Sequence, residues 1–274
     1  MLPVIRLFGV SAQTYYLCAA LAGLAGFVLS ASALRRLGLG RWSVVLPLLV
    51  LALAVSGARG LNYLTNPEAY REGFSVWTLR YTKLSLMGGL AAGGTGIFLS
   101  CLLLRRSPGR VMDAFVLPAA VGIVLLKLGC FCNGCCFGKP TDGPFGVVFP
   151  ANELRYRFLE ALPLLRGTSP RVHPTQLYEI AGALAALAVA LAFGRRFGHG
   201  GRTALFGGLF ALARWLVLPL RALPYTDAVI HAAYPALYGA SAALAAAVLA
   251  FLRLRNNKDR PAAEETGPYA GRTG

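Results

Sequence analysis

Seven apolar runs set the possible folds of this chain, at roughly 12–34, 42–58, 84–104, 111–128, 176–194, 203–220 and 229–252. A helical run of about 20 apolar residues crosses the hydrocarbon core of a bilayer. The third, fourth and sixth runs carry an interrupting glycine, proline or charge, so their edges are the least defined. The composition agrees. Of the 274 residues 56% are hydrophobic and 14% charged, against about 25% charged in soluble globular proteins. The expected fold is all-α, a polytopic helical bundle of about seven transmembrane helices. It forms one membrane domain over 1–255, with no soluble domain long enough to fold alone. The stretch 256–274 is polar and rich in Glu, Gly and Pro, and reads as a disordered cytoplasmic tail.

A net charge of +16 raises the question of nucleic acid. The placement of the charge excludes it. Arg35, Arg36 and Arg41 follow the first run, and Arg105, Arg106 and Arg110 follow the third. Arg195, Arg196 and Arg202 follow the fifth; Arg253, Arg255, Lys258 and Arg260 follow the seventh. Basic clusters at every second loop are the positive-inside pattern, not one continuous basic face. They place the N-terminus outside and the C-terminus in the cytoplasm, with longer outer loops near 59–83, 129–175 and 221–228. Ala31-Ser32-Ala33 resembles a signal-peptide cleavage site. The basic residues follow that run instead of preceding it, so it reads as a retained span.

Several charges fall where lipid makes them costly. An ionisable group at membrane depth costs roughly 2.5–3.5 kcal/mol on insertion scales and usually faces a polar cavity. Snorkelling to the interface accounts for Arg80 and Lys83, and for Arg221. It does not account for Arg214, which has apolar sequence on both sides. The heptapeptide His173-Pro-Thr-Gln-Leu-Tyr-Glu179 opens the fifth run. Pro174 suits a first helical turn, and Thr175, Gln176 and Glu179 then share a face. Capping with an interfacial tyrosine is the plain reading of that segment. Glu179 argues for more, because a carboxylate turned into the bundle wants Lys127 or Arg214 as partner. Lys127, Asn133, His173, Gln176, Glu179 and Arg214 are expected to converge at the outer leaflet, in a pocket suited to an anionic head with apolar tails.

Between the fourth and fifth runs lies Gly129-Cys-Phe-Cys-Asn-Gly-Cys-Cys-Phe-Gly-Lys-Pro140, glycine-rich and holding four of the six cysteines. It reads as a turn-forming site segment that follows the helix, where glycine lets the backbone approach a ligand closely.

At these residues the chain resembles the prolipoprotein diacylglyceryl transferases. The resemblance rests on the opening Ile5-Arg-Leu-Phe-Gly9, the Gly129–Pro140 segment, His173–Glu179 and the pair Arg214…Arg221. The family signature runs Gly-Arg-x-Gly-Asn-Phe-x-Asn-x-Glu-x-x-Gly, matched or nearly so at Gly129, Phe131, Asn133, Gly138 and Lys139. The resemblance implies a multi-pass protein of the bacterial inner membrane that moves diacylglyceryl from phosphatidylglycerol to the lipobox cysteine of a lipoprotein precursor. Membrane lipid and precursor are then the partners, with no nucleic acid. It implies catalytic roles for His173, Glu179 and Arg214, and substrate contacts from Lys127, Asn133, Gly138, Gln176, Tyr178 and Arg221. The chain departs from the pattern at Phe8 (tyrosine in the family), Met87 (histidine), Lys127 (arginine), Cys130 (asparagine), Cys135 (glutamate) and Leu218 (an acid). Lysine lacks the bidentate fork of arginine. A non-catalytic, redox or lipid-binding protein on the same scaffold, or a transferase with another acceptor, is the alternative.

The cysteines admit three readings. They form a disulfide or pack as small residues; Cys130 and Cys135 supply a thiol to the transfer; or they bind a metal. C-x-C-x-x-C-C is not a standard zinc spacing and no histidine is in register, so neither metal nor cofactor is expected. Cys18 and Cys101 lie inside spans as packing residues. The orientation is open to direct test. A reporter fused after Arg106 or Arg196 should score cytoplasmic and one near Pro170 external; the reverse pattern would put the polar residues on the wrong side of the membrane.

Overall fold

In the computed structural model, residues 4–7, 10–65, 67, 84–149, 171–222 and 229–259 are described. Arg80, Lys83, Phe8 and Pro170 lie outside them. Seven helices are long and apolar enough to cross a membrane. They are α1 (Thr14–Arg36), α2 (Trp42–Thr65), α3 (Leu86–Leu103), α4 (Pro108–Asn133), α5 (Thr175–Phe193), α6 (Gly201–Val217) and α7 (Tyr234–Asp259). The expected seven-span helical bundle is what forms. Before α1 sits one antiparallel hairpin, β1 (Val4–Leu7) with β2 (Val10–Gln13), paired Val4↔Gln13 through Leu7↔Val10. It is a small addition to the helices, joined among the described residues only by isolated bridges such as Gly138↔Arg221.

Helix ends depart from the hydropathy runs in three places. α2 continues to Thr65, because Arg59 and Asn62 are buried in the bundle and do not begin a loop. α4 continues to Asn133, so Gly129, Cys130 and Cys132 belong to its last turns and not to the following turn. α7 runs to Asp259, four residues into the stretch expected to be tail, after a single π turn at Val229–Ala233. Short 3-10 turns at Gly194–Phe197 and Leu218–Leu220 close α5 and α6.

Chain neighbours pack side by side: α1 and α3 each on α2, α5 and α7 each on α6. α4 lies along α1 and against α5 and α6. Leu21, Leu24, Val28, Leu48, Leu102, Leu216, Leu244 and Phe251 point outward, where lipid tails receive them. Lipid removes the usual hydrophobic drive between helices, so close approach depends on small residues. The α4–α5–α6 core is built that way, with Ala120, Ala183, Ala186 and Ala190 against Val116, Ile123, Phe206 and Phe210. α2 and α3 cross at Gly57 and Gly88, where a Cβ on either would overlap the other's carbonyl oxygen.

The alternation of helices sorts the polar residues by end. Arg35, Arg36, Arg41, Arg105, Arg106, Arg110, Arg195, Arg196 and Arg202 all flank the same end of the bundle. There Asp113 binds the start of α6, accepting from Gly200 N at 2.8 Å and from Thr203 N at 2.9 Å. A carboxylate at a helix N-terminus satisfies free N–H groups and favours the helix dipole. The C-terminus of α4 and the N-terminus of α5 meet at the opposite end, and the buried charges gather there.

Candidate functional site

α4 ends in a Schellman turn. Gly134 takes φ 70°, its N–H donates to Phe131 O at 3.3 Å, and Cys135 N–H donates to Cys130 O at 3.0 Å. Cys136 follows with φ 61°, a conformation that costs a non-glycine residue about 1 kcal/mol or more. The first turn of α5 holds this loop in place. Gln176 Nε2 donates to Cys135 O at 2.6 Å and Thr175 Oγ1 donates to Cys136 O at 2.7 Å. Gln176 therefore braces the loop with its amide nitrogen.

Beyond Cys136 the chain is held between two other segments. Gly138 N–H donates to His173 O at 2.8 Å, His173 N–H to Lys139 O at 3.1 Å, and Lys139 N–H to Leu220 O at 2.8 Å. Gly138 is required here. A Cβ on it would sit 2.7 Å from His173 Cβ and 2.8 Å from Thr175 Cγ2, closer than real contacts allow. Phe137, Phe149, Val172 and Ala222 pack beneath as a small apolar cluster. The pairing of Gly138 with Arg221 fixes the backbone from which Arg221 reaches inward.

One carboxylate organises the interior of this end. Glu179, one turn into α5 and 1% exposed, receives three cations. Lys127 Nζ of α4 lies 2.6 Å from Oε2, Arg214 Nη1 of α6 bonds the same oxygen, and Arg221 Nη1 lies 3.3 Å from Oε1. Arg214 also donates from Nη2 to the Tyr238 hydroxyl of α7 at 2.9 Å. The expected pairing of Glu179 with Lys127 or Arg214 is realised with both. Arg221 is the departure. It does not snorkel to the interface but turns in, with its side chain 12% exposed. Three cations on one carboxylate leave two positive charges in excess. The Nε atoms of Arg214 and Arg221 are buried without a partner, so each arginine keeps donor capacity.

Asn133 is buried at the last residue of α4. His173 joins Tyr178, with Nδ1 3.3 Å from the hydroxyl, and its ring is not among the groups bound to Glu179. Tyr238 carries no sequence signal, being one tyrosine in a run of alanines and leucines. Cys136 stood out in sequence only as one of the four clustered cysteines, with no role of its own. Its sulfur and those of Cys130 and Cys135 lie within 4.8 Å of one another, a set able to hold a metal ion. Hydrogen bonds from Cys130 and Cys135 hold the Cys136 thiol well below its usual pKa; burial opposes this, and Lys127 and Arg221 reinforce it. Hydrogen bonds to Cys130 and Cys136, with burial, push Cys135 well above. Tyr15 of α1 packs on Cys130 and Cys135.

An apolar cavity of about 160 Å³ opens between α4 and α5, lined by Ala120, Val121, Val124, Leu125, Leu184 and Leu187. Its nearest lining residues are Leu125, about half a turn from Lys127 along α4, and Leu184, about one and a half turns from Glu179 along α5. It is a half-open apolar groove, a surface that an acyl chain complements.

The family model described as prolipoprotein diacylglyceryl transferase matches residues 3–254. The chain belongs to the prolipoprotein diacylglyceryl transferase family. It is 31% identical over 167 residues to the phosphatidylglycerol–prolipoprotein diacylglyceryl transferase of Methylocella silvestris, covering 59% of this chain and 54% of that protein. The protein of the same name from Nitratidesulfovibrio vulgaris is 34% identical over 160 residues, covering 57% and 52%. That from Synechococcus sp. is 32% identical over 174 residues, covering 60% and 57%. The matched stretch spans about half the length of these relatives. Membership and seven apolar helices make this a multi-pass membrane protein.

Removing one partner of a buried ion pair costs about 3–5 kcal/mol, because a charge is left without its counterion. Here the cost should be asymmetric. Glu179→Gln leaves three buried cations unneutralised and should lower thermal stability in detergent by that order. Lys127→Met removes one of three cations and should cost clearly less. Equal losses in a melting experiment would show that Glu179 is not the common partner.

Proposed function

We propose that this protein transfers the diacylglyceryl group of phosphatidylglycerol to the lipobox cysteine of a lipoprotein precursor, at the outer leaflet of the bacterial inner membrane. The observation that carries the reading is the buried excess of positive charge around Glu179, with an apolar groove further along the same two helices, α4 and α5. An anionic phosphodiester complements the first and a stretch of acyl chain the second. The relatives are named for phosphatidylglycerol and prolipoprotein, which we take as the substrates here. The basic loops at the other end of the bundle support the outer-leaflet placement through the positive-inside pattern.

In the reaction, the precursor's thiolate sulfur bonds to the glyceryl carbon that carries the phosphate. The carbon–oxygen bond breaks with its electron pair going to oxygen, and glycerol phosphate leaves. Charge gathers on the departing phosphate, and preorganised cations stabilise such charge most in a site closed to water. Arg221 is the first ligand for that phosphate: it makes the longest of the three contacts to Glu179 and retains a free Nε. Arg214 and Lys127 complete the cationic wall, and Glu179 holds all three in place. His173, at the loop edge with Tyr178, is the base that takes the thiol proton.

Purified protein given phosphatidylglycerol and a lipobox peptide should release glycerol phosphate only when the peptide carries its cysteine. Arg221→Ala should lower turnover on the order of 10²–10³-fold, and His173→Ala by the 10²–10⁴-fold of lost general base catalysis. No release with any cysteine-bearing acceptor would favour the non-catalytic reading on the same scaffold.

A further inference from the structure

We propose that Cys130, Cys135 and Cys136 form a trigonal thiolate site for a soft monovalent ion, with the chemistry of Cu(I). The three sulfurs already lie within 4.8 Å of one another, although the spacing in sequence matches no standard zinc motif. The left-handed pair Gly134 and Cys136 folds the loop back over the end of α4. Gln176 and Thr175 then fix the backbone of both loop cysteines by their carbonyls. A preformed set of this kind spares the ordering cost that metal sites usually carry.

The donor set selects the ion. Thiolates favour Cu(I), zinc and iron–sulfur clusters over hard cations. Structural zinc sites are almost always four-coordinate, and the common two-iron and four-iron clusters are held by four protein ligands. Among the described residues the set has three members, with no histidine or carboxylate in it. Glu179 is not available, since both its oxygens are held by cations. Charge points the same way. Among the described residues, the three cations gathered on Glu179 leave two positive charges uncompensated at this end of the bundle. Three thiolates around a monovalent ion carry two negative charges, which balances the site; a divalent ion would leave one positive charge over. This inference stands on the sulfur geometry and does not depend on the transferase reading. A loaded site would, however, draw on the same positive charge as a phosphodiester.

The test uses the full-length protein in detergent, reduced with a phosphine and kept anaerobic, titrated with Cu(I) against a chromophoric Cu(I) chelator. One ion should be retained per chain, and Cys130→Ser, Cys135→Ser or Cys136→Ser should each weaken binding on the order of 100-fold or more. The Cys18→Ser/Cys132→Ser double variant should bind as the parent does. Zn(II), in the parallel competition, should bind less tightly relative to an aqueous three-thiol reference. Retention no greater than that of the Cys130/Cys135/Cys136 triple serine variant would overturn the proposal. So would a loss that follows Cys18 and Cys132, or fewer than six titratable thiols after reduction, which would mean a persistent disulfide among the six cysteines.

Discussion

The Glu179 carboxylate is the interaction on which this end of the molecule depends. Its two oxygens collect Lys127 from α4, Arg214 from α6 and Arg221 from the chain beyond α6. Each cation alone would be expensive at membrane depth. Together on one carboxylate they tie three segments to α5, and Arg214 ties the cluster to α7 through Tyr238. Removing charges from water makes such an arrangement weak as a source of stability. Its retention is better understood as positioning: three donors are held in a fixed array with positive charge to spare.

The array is only as fixed as the backbone behind it. The loop after α4 is satisfied almost group by group, by its own Schellman turn, by Thr175 and Gln176, and by the strand-like pairings to His173 and Leu220. The absence of a Cβ at Gly138 permits that close threading. Irregular backbone at a membrane's edge persists only where protein satisfies it. The same threading brings three cysteine sulfurs together next to the cations, so the anionic and cationic halves of the site share one scaffold.

Much of the fold was legible because apolar runs near bilayer length carry a strong signal, and the seven helices follow the seven runs. The ends were less so. Arg59 and Asn62 read as the start of a loop, yet they are buried in α2, since burial against neighbours cannot be seen in local hydropathy. Gly129 and Cys130 read as turn residues, whereas they are small residues that let α4 lie close to Cys18 and Tyr15 of α1. At the site, Glu179 with Lys127 and Arg214 was readable because charges inside apolar runs need partners. Arg221 lies just past its run, so hydropathy alone read it as interfacial and only the family resemblance marked it as a site residue; Tyr238 gave no signal. The cysteines were conspicuous in sequence but which three meet was not: left-handed residues at Gly134 and Cys136, not a spacing rule, bring 135 and 136 back to 130.

The central claim is that the cations around Glu179 receive an anionic phosphodiester head. Native mass spectrometry of the protein exchanged into equal amounts of phosphatidylglycerol and phosphatidylethanolamine tests it most directly, without requiring turnover. The account predicts one phosphatidylglycerol retained per chain in clear preference, with that preference abolished by Arg221→Ala while the protein stays folded. Equal retention of the two lipids, or a preference that survives the loss of Arg221, would contradict it.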